Sequence, residues 1–393
     1  MDDTSKTVIP VTEPVKVLHL ISSKGLYGAE RVVMTLVQQA DPKLTVPVMA
    51  IFRKQGTGGD EFVREAESLG FHVETIQYSS AFDPGQILNL FRVVRRQRPR
   101  IIHAHEYKTN ILGFFVARMY GIPIVSTVHA LHRLEGRAKA VLRFSVWLLR
   151  YFKALIAVSK EVRDELVELN VPQEKITTIQ NVPPLTERKH ETGARSLRNE
   201  LGVPADMKLI GFLGRLIPAK GCDQLLRALA MAGREHRDIF LAIVGEGPER
   251  DALEALAKSL GLQDMVRFCG FRQDPENVYA SLDLLVLPSR EEGTPLVMLE
   301  GMWQEVPVVA TSVGGIPEVI TDGKTGRIVP PDNPAALAAA IIEVLGNPEN
   351  ARKRALEAKN TLRRRYDVKV WAGKVQDVYR DAMRRTPAGV RGV

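Results

Sequence analysis

Short apolar runs, each ending in polar residues and followed by a longer stretch of helical character, recur along the chain, and this alternation constrains the fold more than any other feature. A strand buried on both faces reads as an unbroken run of Ile, Val and Leu, and an intervening helix returns the chain to start the next strand in the same direction. The pattern therefore predicts parallel sheets flanked by helices. The first run, 15–22, leads into Lys24-Gly25-Leu26-Tyr27-Gly28 and a helix over 29–39, and runs at 46–52, 100–105, 124–129 and 154–159 repeat the theme. At Asn181-Val182-Pro183-Pro184 it breaks, and the charge-dense stretch containing Glu187, Arg188, Lys189, His190 and Glu191 reads as a linker. Alternation restarts with strands at 209–213, 239–244, 266–269, 284–288, 308–310 and 326–329, and with helices that include 222–232, 248–259 and 334–345.

A chain of 393 residues exceeds one ordinary core, so two domains are expected, 1–183 and 184–365, each a Rossmann-like parallel-sheet α/β unit. Hydrophobic residues at 45% and charged residues at 25% are ordinary for globular chains and exclude a fibrous or largely disordered protein. No apolar run reaches the roughly 20 residues of a spanning helix, and residues 1–14 lack an apolar h-region, so neither a membrane span nor a signal peptide is expected. Cys222 and Cys269 stand far apart without CxxC or histidine-rich company, which fits a reducing cytoplasm and gives no metal or disulfide framework. Lys and Arg total 54 against 46 Asp and Glu, a net +8 that favours anionic partners. Nucleic acid is not expected among them, because no nucleic-acid-binding signature is present.

Two such domains facing each other leave a central cleft at the carboxyl ends of their strands, where parallel sheets place ligands. Residues 287–302 meet that test best: a strand ends, a polar loop follows and a helix begins. Thr294 is read as its N-cap and Pro295 as its first residue, so the N–H groups of Leu296 and Val297 form an anion site suited to a pyrophosphate. Glu292 and Glu300 can accept hydrogen bonds from sugar or ribose hydroxyls. Gly56, Gly58 and Gly59 match no phosphate-binding loop and read as a flexible connection.

Glu292-x7-Glu300, with Pro288-Ser289 before it and Pro307-Val308-Val309-Ala310-Thr311 after it, resembles the retaining family-4 glycosyltransferases (glycosyl transferases group 1) of the GT-B fold. Gly314-Gly315-Ile316-Pro317-Glu318, Gly214-Arg215 with Lys220-Gly221, Gly28-Ala29-Glu30-Arg31, Ala157-Val158-Ser159 and Asn181 fall in the family's order, so the resemblance covers nearly the whole chain. It departs at Val182-Pro183-Pro184, where relatives commonly carry Gly-Val-Asp, and at Ala29, where a second glycine is frequent.

The resemblance implies a nucleotide-sugar donor held by Gly28, Gly214, Arg215, Lys220, Glu292, Gly293, Thr294, Pro295, Leu296, Val297 and Glu300. In it Arg215 and Lys220 stabilise the leaving diphosphate, Glu300 binds the ribose and Glu292 contacts the transferred sugar. His129 would be the active-site histidine beside that sugar. His105 and Asn110 would lie on the acceptor side, although His103 and His105 read equally well as structural histidines. The acceptor implied is a glycan or a polyprenyl-linked species, in cell-surface or exported polysaccharide synthesis. Helix 366–385 would cross back to the first domain, and a tail at 386–393 is expected to be disordered. No Asp-x-Asp occurs, so no metal and no cofactor are expected.

Two other readings stay open, a non-catalytic nucleotide-sugar sensor and a nucleotide-sugar epimerase on the same fold. A phosphorylase lacks its pyridoxal-phosphate lysine signature, and a dinucleotide oxidoreductase lacks a GxGxxG after the first strand. Residues 137–153 add one surface feature: Lys139, Arg143, Arg150 and Lys153 recur at helical spacing opposite Val141, Leu148 and Phe152, with Trp147 beside them. That pattern fits a basic amphipathic helix lying on an anionic membrane at its inner face, and equally a surface helix packed on the sheet.

Overall fold

The computed structural model describes residues 13–23, 28–56, 60–80, 83–131, 136–183, 196–233 and 238–386. The linker charges Glu187 to Glu191, residues 24–27, Gly58, Gly59 and residues 387–393 lie outside them. Two parallel sheets organise the rest. The first joins β1 (Val15–Ser22), β2 (Thr45–Lys54), β3 (Val73–Tyr78), β4 (Ile101–Ala104), β5 (Ile124–Val128), β6 (Ala154–Ala157) and β7 (Ile176–Thr178) in the order 3-2-1-4-5-6-7. The second joins β8 (Lys208–Leu213), β9 (Ile239–Val244), β10 (Val266–Gly270), β11 (Leu284–Leu287), β12 (Val308–Thr311) and β13 (Arg327–Val329) in the order 10-9-8-11-12-13. Strand order reverses beside β1 and β4 in one sheet and beside β8 and β11 in the other, so each domain offers a switch-point crevice.

The central strands are built for burial on both faces. All six residues of β9, Ile-Phe-Leu-Ala-Ile-Val, and all of β4, β5, β6, β11 and β12 are buried. Each large aliphatic side chain there contributes about 1.5–3 kcal/mol. One apolar cluster runs through both domains: Val17, Val125 and Ile156 of the first sheet connect with Leu285, Leu299 and Ala310 of the second. The helix Val368–Arg384 joins it with Trp371, Val375 and Tyr379 and packs on β5 and β6 of the first sheet. Lys153 and Arg385 pin its end by donating to each other's carbonyls at 3.3 Å.

The buried strands fall where the sequence pattern places them, to within two residues, and the exceptions share a cause. β3 and β7 are edge strands whose exposed residues are polar (Thr75, Gln77, Thr177), so neither carries an apolar run. The helix Pro348–Arg365 buries a stripe of small residues, Ala351, Ala355 and Ala358, ending at Leu362, too little apolar mass to stand out. The predicted 248–259 helix begins at Arg250, after a turn through Pro248 and Glu249.

The 137–153 stripe needs correction. Its helix is Gly136–Leu149, so Arg150 and Lys153 lie past its end and leave the free face. Arg150 instead donates to the Leu169 carbonyl at 2.9 Å, and Lys153 is tied to Arg385. The outward face carries exposed Lys139 and Arg143 together with aromatic rings: Phe144 stacks on Trp147, and Trp147 meets Tyr151 edge-on. Among the described residues, no helix is long and apolar enough to cross a membrane.

Candidate active site

The two switch points face one another across a cleft of about 1610 Å³, lined by Ser22 and the start of the helix after β1 with the segments after β4 and β5 on one side, and by the loops after β8 and β11 on the other. Glycines let these loops close up. Gly221 has φ +63°, and a Cβ there would lie 2.0 Å from the Pro288 carbonyl oxygen; at Gly293 it would lie 1.9 Å from that of His129, across the domain boundary. Only glycine fits either place. Gly28 differs: it is exposed on the cleft, and a Cβ would meet nothing within 4 Å, so protein packing does not demand glycine there.

On the second-domain wall, Lys220 ends a short turn, Pro218–Lys220, and donates to both carboxylate oxygens of Glu292 at 2.7 Å. The Ser289 hydroxyl adds a third bond to Glu292 at 2.7 Å, and Glu292 is 8% exposed. Removing either partner would leave the other's polar group short of a contact in a nearly buried place. Arg290 locks the loop behind, donating to Asp223 at 2.7 and 2.8 Å and to Asp332 at 2.6 Å, while its backbone N–H bonds the Ala219 carbonyl at 2.8 Å. Gly214 follows β8 and, with exposed Arg215, lines the same wall.

The helix after β11 is Leu296–Trp303, with Pro295 as its N-cap in extended conformation. Thr294 is therefore not the cap. Its hydroxyl donates to the Val158 carbonyl in the first domain at 2.5 Å, and its own carbonyl accepts from Asn181 at 3.0 Å. Thr294 spends its polar groups on closing the two domains, and the leading N–H groups of the helix, Leu296 and Val297, remain as its positive end. Glu318 also bridges the domains, accepting from the Lys160 N–H at 2.7 Å and from Gln180 at 2.8 Å.

Glu300 lies in that helix and is 7% exposed. Its two oxygens accept from Arg31 of the first domain at 2.6 Å and from the Tyr279 hydroxyl at 2.7 Å. Burial, then the Glu300 charge, pushes the Tyr279 phenol well up, so it stays a donor. Burial works against the Arg31 cation, but Glu300 outweighs it and raises the guanidinium. Sequence reasoning quoted Arg31 without a role and passed over Tyr279. Glu30 and Arg31 both line the cleft, and the only signal in the sequence was the place of Arg31 in Gly28-Ala29-Glu30-Arg31.

On the first-domain wall, His105 and His129 follow β4 and β5, their rings 6.1 Å apart, and Asn110 sits in the helix Tyr107–Tyr120 accepting from Ser126 at 2.8 Å. Among the described residues, His105 Nδ1 and His129 Nε2 are buried without a hydrogen-bond partner. His103 lies deeper, between Thr127 at 2.8 Å and Tyr379 of the C-terminal helix at 2.7 Å, and His19 shares a 3.2 Å hydrogen bond with His105. His103 is thus held as a structural histidine. Burial drives His19 to about 3 and His129 to about 4, and burial with mutual repulsion takes His103 and His105 well below the usual 6.5, so all four are neutral. Among the described residues, the potential metal-ligand cluster His19, His103 and His105 lies in this buried layer and not at the Lys220 end.

The structure thus gathers Gly28, Gly214, Arg215, Lys220, Glu292, Gly293, Thr294, Pro295, Leu296, Val297, Glu300, His105, Asn110 and His129 around one cleft. Lys139, Arg143 and Trp147 lie outside its lining. Residues 27–183 match the family Glycosyltransferase Family 4, and residues 194–361 match Glycosyl transferases group 1. A Mycobacterium tuberculosis glycogen synthase is 33% identical over 306 residues, covering 74% of this chain and 70% of that protein. A Thermobispora bispora D-inositol 3-phosphate glycosyltransferase is 29% identical, covering 77% of each. The Anabaena protein Alr3699/HepE, solved in complex with UDP-glucose, superposes with a TM-score of 0.80 at 24% identity, covering 93% of this chain and 99% of that one.

Proposed function

The chain belongs to the family-4, group 1 glycosyltransferases of the GT-B fold, and on that premise we propose that it moves a hexose or N-acetylhexosamine from a nucleotide-diphosphate sugar, with retention of configuration, to a hydroxyl of a glycan or polyprenyl-linked acceptor. The observation that carries this reading is the convergence of Lys220, Glu292, Glu300 and the Leu296 helix end on one wall of the cleft, opposite His129. Breaking the bond between sugar and phosphate puts negative charge on the departing diphosphate. Fixed cations and a helix N-terminus, already in place, stabilise that charge as it forms.

In this reading the pyrophosphate lies against the N–H groups of Leu296 and Val297, with Lys220 and Arg215 beside it. Gly28, Gly214 and Gly293 give the donor close backbone approach. Glu292 hydrogen-bonds hydroxyls of the transferred sugar, and Glu300 those of the ribose. Neutral His129 faces the sugar with an unpaired ring nitrogen ready for a hydroxyl, and His105 and Asn110 line the acceptor side. A nucleotide-sugar donor is supported by the UDP-glucose bound to the Anabaena relative in fold. With Lys220 and Arg215 at the phosphate end, catalysis needs no metal in this proposal.

The acceptor places the enzyme at the cytoplasmic face of a membrane, in cell-surface or exopolysaccharide synthesis. The exposed face supporting this joins Phe115 and Met119 to Phe144, Trp147 and Tyr151, flanked by Arg118, Lys139 and Arg143. Its two helices, Tyr107–Tyr120 and Gly136–Leu149, contain no Asp or Glu, which suits anionic lipid. Co-sedimentation with phosphatidylglycerol vesicles that weakens with salt is expected; no binding at low salt would remove the membrane from the proposal.

The test of the whole reading is incubation with UDP-, GDP- and ADP-sugars, following nucleoside diphosphate release with and without EDTA. One donor series turning over, insensitive to EDTA and with the product anomer matching the donor, is expected. Binding without any transfer or slow hydrolysis would instead mark a nucleotide-sugar sensor.

A further inference from the structure

The Glu300 carboxylate carries a contact that a single-domain donor site does not need. Arg31, from the helix Gly28–Gln38 after β1, reaches across the cleft and donates to Glu300 Oε1 at 2.6 Å. Tyr279, from the helix Pro275–Ser281 of the second domain, donates to Oε2 at 2.7 Å. Each carboxylate oxygen has two lone-pair sites, so one donor on each leaves one acceptor free on each. The residue left is a pair of adjacent acceptors, held in a fixed plane and facing the cleft, which is the complement of a vicinal diol.

From this geometry we infer that Arg31 is a donor-positioning residue. Resting on the reading of Glu300 as the ribose-binding carboxylate, it holds that carboxylate in the plane that meets the 2′- and 3′-hydroxyls, and it does so only when the two domains are together. Three features argue for this over a simple interdomain tie. Arg31 lines the cleft beside Glu300 and is 27% exposed, so it borders the space the nucleoside enters. Glu300 is nearly buried, and a buried carboxylate with one partner removed is both less favourable and free to turn. Tying is also done elsewhere, by Thr294 on Val158 and by Glu318 on Lys160 and Gln180, outside the ribose position. Domain closure and ribose recognition are then one event: opening the cleft withdraws Arg31 and leaves Glu300 with Tyr279 alone.

The experiment compares UDP, GDP and ADP with their 2′,3′-dideoxy counterparts by isothermal titration on wild type, Arg31→Gln, Arg31→Lys and Glu300→Gln. The wild type should prefer the ribose form of the base it binds by about tenfold or more, the worth of hydrogen bonds to a charged group. Arg31→Gln should weaken the ribose form by about tenfold and leave the dideoxy form within about twofold, collapsing the preference. Arg31→Lys, a cation with a different reach and no planar fork, should fall between. Arg31→Gln in a Glu300→Gln background should add little, because both changes act on one contact. Thermal melting of each variant reports whether it is folded. Equal weakening of both nucleotide forms, or an unchanged preference in Arg31→Gln, would overturn the inference and leave Arg31 a domain tie, with the ribose role of Glu300 intact. A wild type indifferent to the ribose hydroxyls would overturn the Glu300 reading itself, and this inference with it.

Discussion

At the scale of single residues, the site's charges are paired before any substrate arrives. Lys220 serves two masters, since the cation proposed for the diphosphate also neutralises Glu292 at 2.7 Å. Lys220→Ala should therefore cost about 3 kcal/mol of stability in addition to donor binding, because it strands a buried carboxylate. Adding Glu292→Gln should restore much of that stability, read as the melting temperature, while nucleotide binding stays lost. If the single variant melts like wild type, the pair is not the buried ion pair described. Sequence reasoning chose both residues but read each as acting alone, because a sequence shows which groups exist and not which of them meet. Thr294 makes the same point: it has the chemistry of a helix cap, and tertiary contact with Val158 claimed it instead.

At the scale of elements, the loops at the strand ends hold their shape through backbone contacts that exclude side chains. Gly221→Ala would force a left-handed conformation on a residue whose Cβ would also strike the Pro288 carbonyl. It should lower stability by about 2 kcal/mol or more, measured by urea unfolding, and weaken donor binding by shifting Lys220. An unperturbed Gly221→Ala variant would contradict the packing of these two loops. Buried strands were legible because burial on two faces leaves an unbroken apolar run, whereas β3 and β7 were not, since exposed Thr75, Gln77 and Thr177 interrupt any such run. The Pro348–Arg365 helix was hidden for a related reason, its contact face being mostly alanine.

His19 in β1, His103 in β4 and His105 and His129 just after β4 and β5 form a layer of four neutral histidines, and its pH dependence has a definite sign. Folded, His19 and His129 titrate near 3 and 4, with His103 and His105 also well down; unfolded, each regains the usual 6.5. The unfolded chain thus binds more protons below about pH 6.5, so stability is complete above that pH and falls as the pH drops toward 4, by up to about 1.4 kcal/mol per unit for each histidine. Urea unfolding between pH 7.5 and 5 should show this decline, with a shallower slope in His19→Gln. A slope the same in both proteins would mean that His19 takes up protons in the native state.

At the scale of the molecule, the architecture was legible because it repeats: two rounds of the same alternation, separated by a proline-marked break, predict two facing sheets without reference to any partner. The cleft followed from topology, and the residues proposed for the donor from the family resemblance, in loops that follow strands and in the helix Leu296–Trp303. What did not follow was how the halves are held. Asn181, Thr294, Glu318 and Arg31 make contacts between residues 113 to 269 positions apart, and no local pattern announces a pair that distant. The C-terminal helix, which the family resemblance did lead one to expect across the first domain, belongs to the same joint, with Trp371, Val375 and Tyr379 buried in the cluster common to both domains. Deleting residues from 368 onward should leave apolar surface open on the first sheet and give an aggregating protein in size-exclusion chromatography. A monodisperse, active truncation would show that the helix is dispensable.

The central claim is that the cleft binds a nucleotide sugar through the Lys220 and Glu300 wall, and its most direct test is calorimetric titration with UDP-, GDP- and ADP-glucose in the presence of EDTA. The account predicts saturable binding of one nucleotide series to the wild type, weakened at least tenfold in both Lys220→Ala and Glu300→Ala. Absence of binding by any of the three, or binding that both variants retain at full strength, would contradict it.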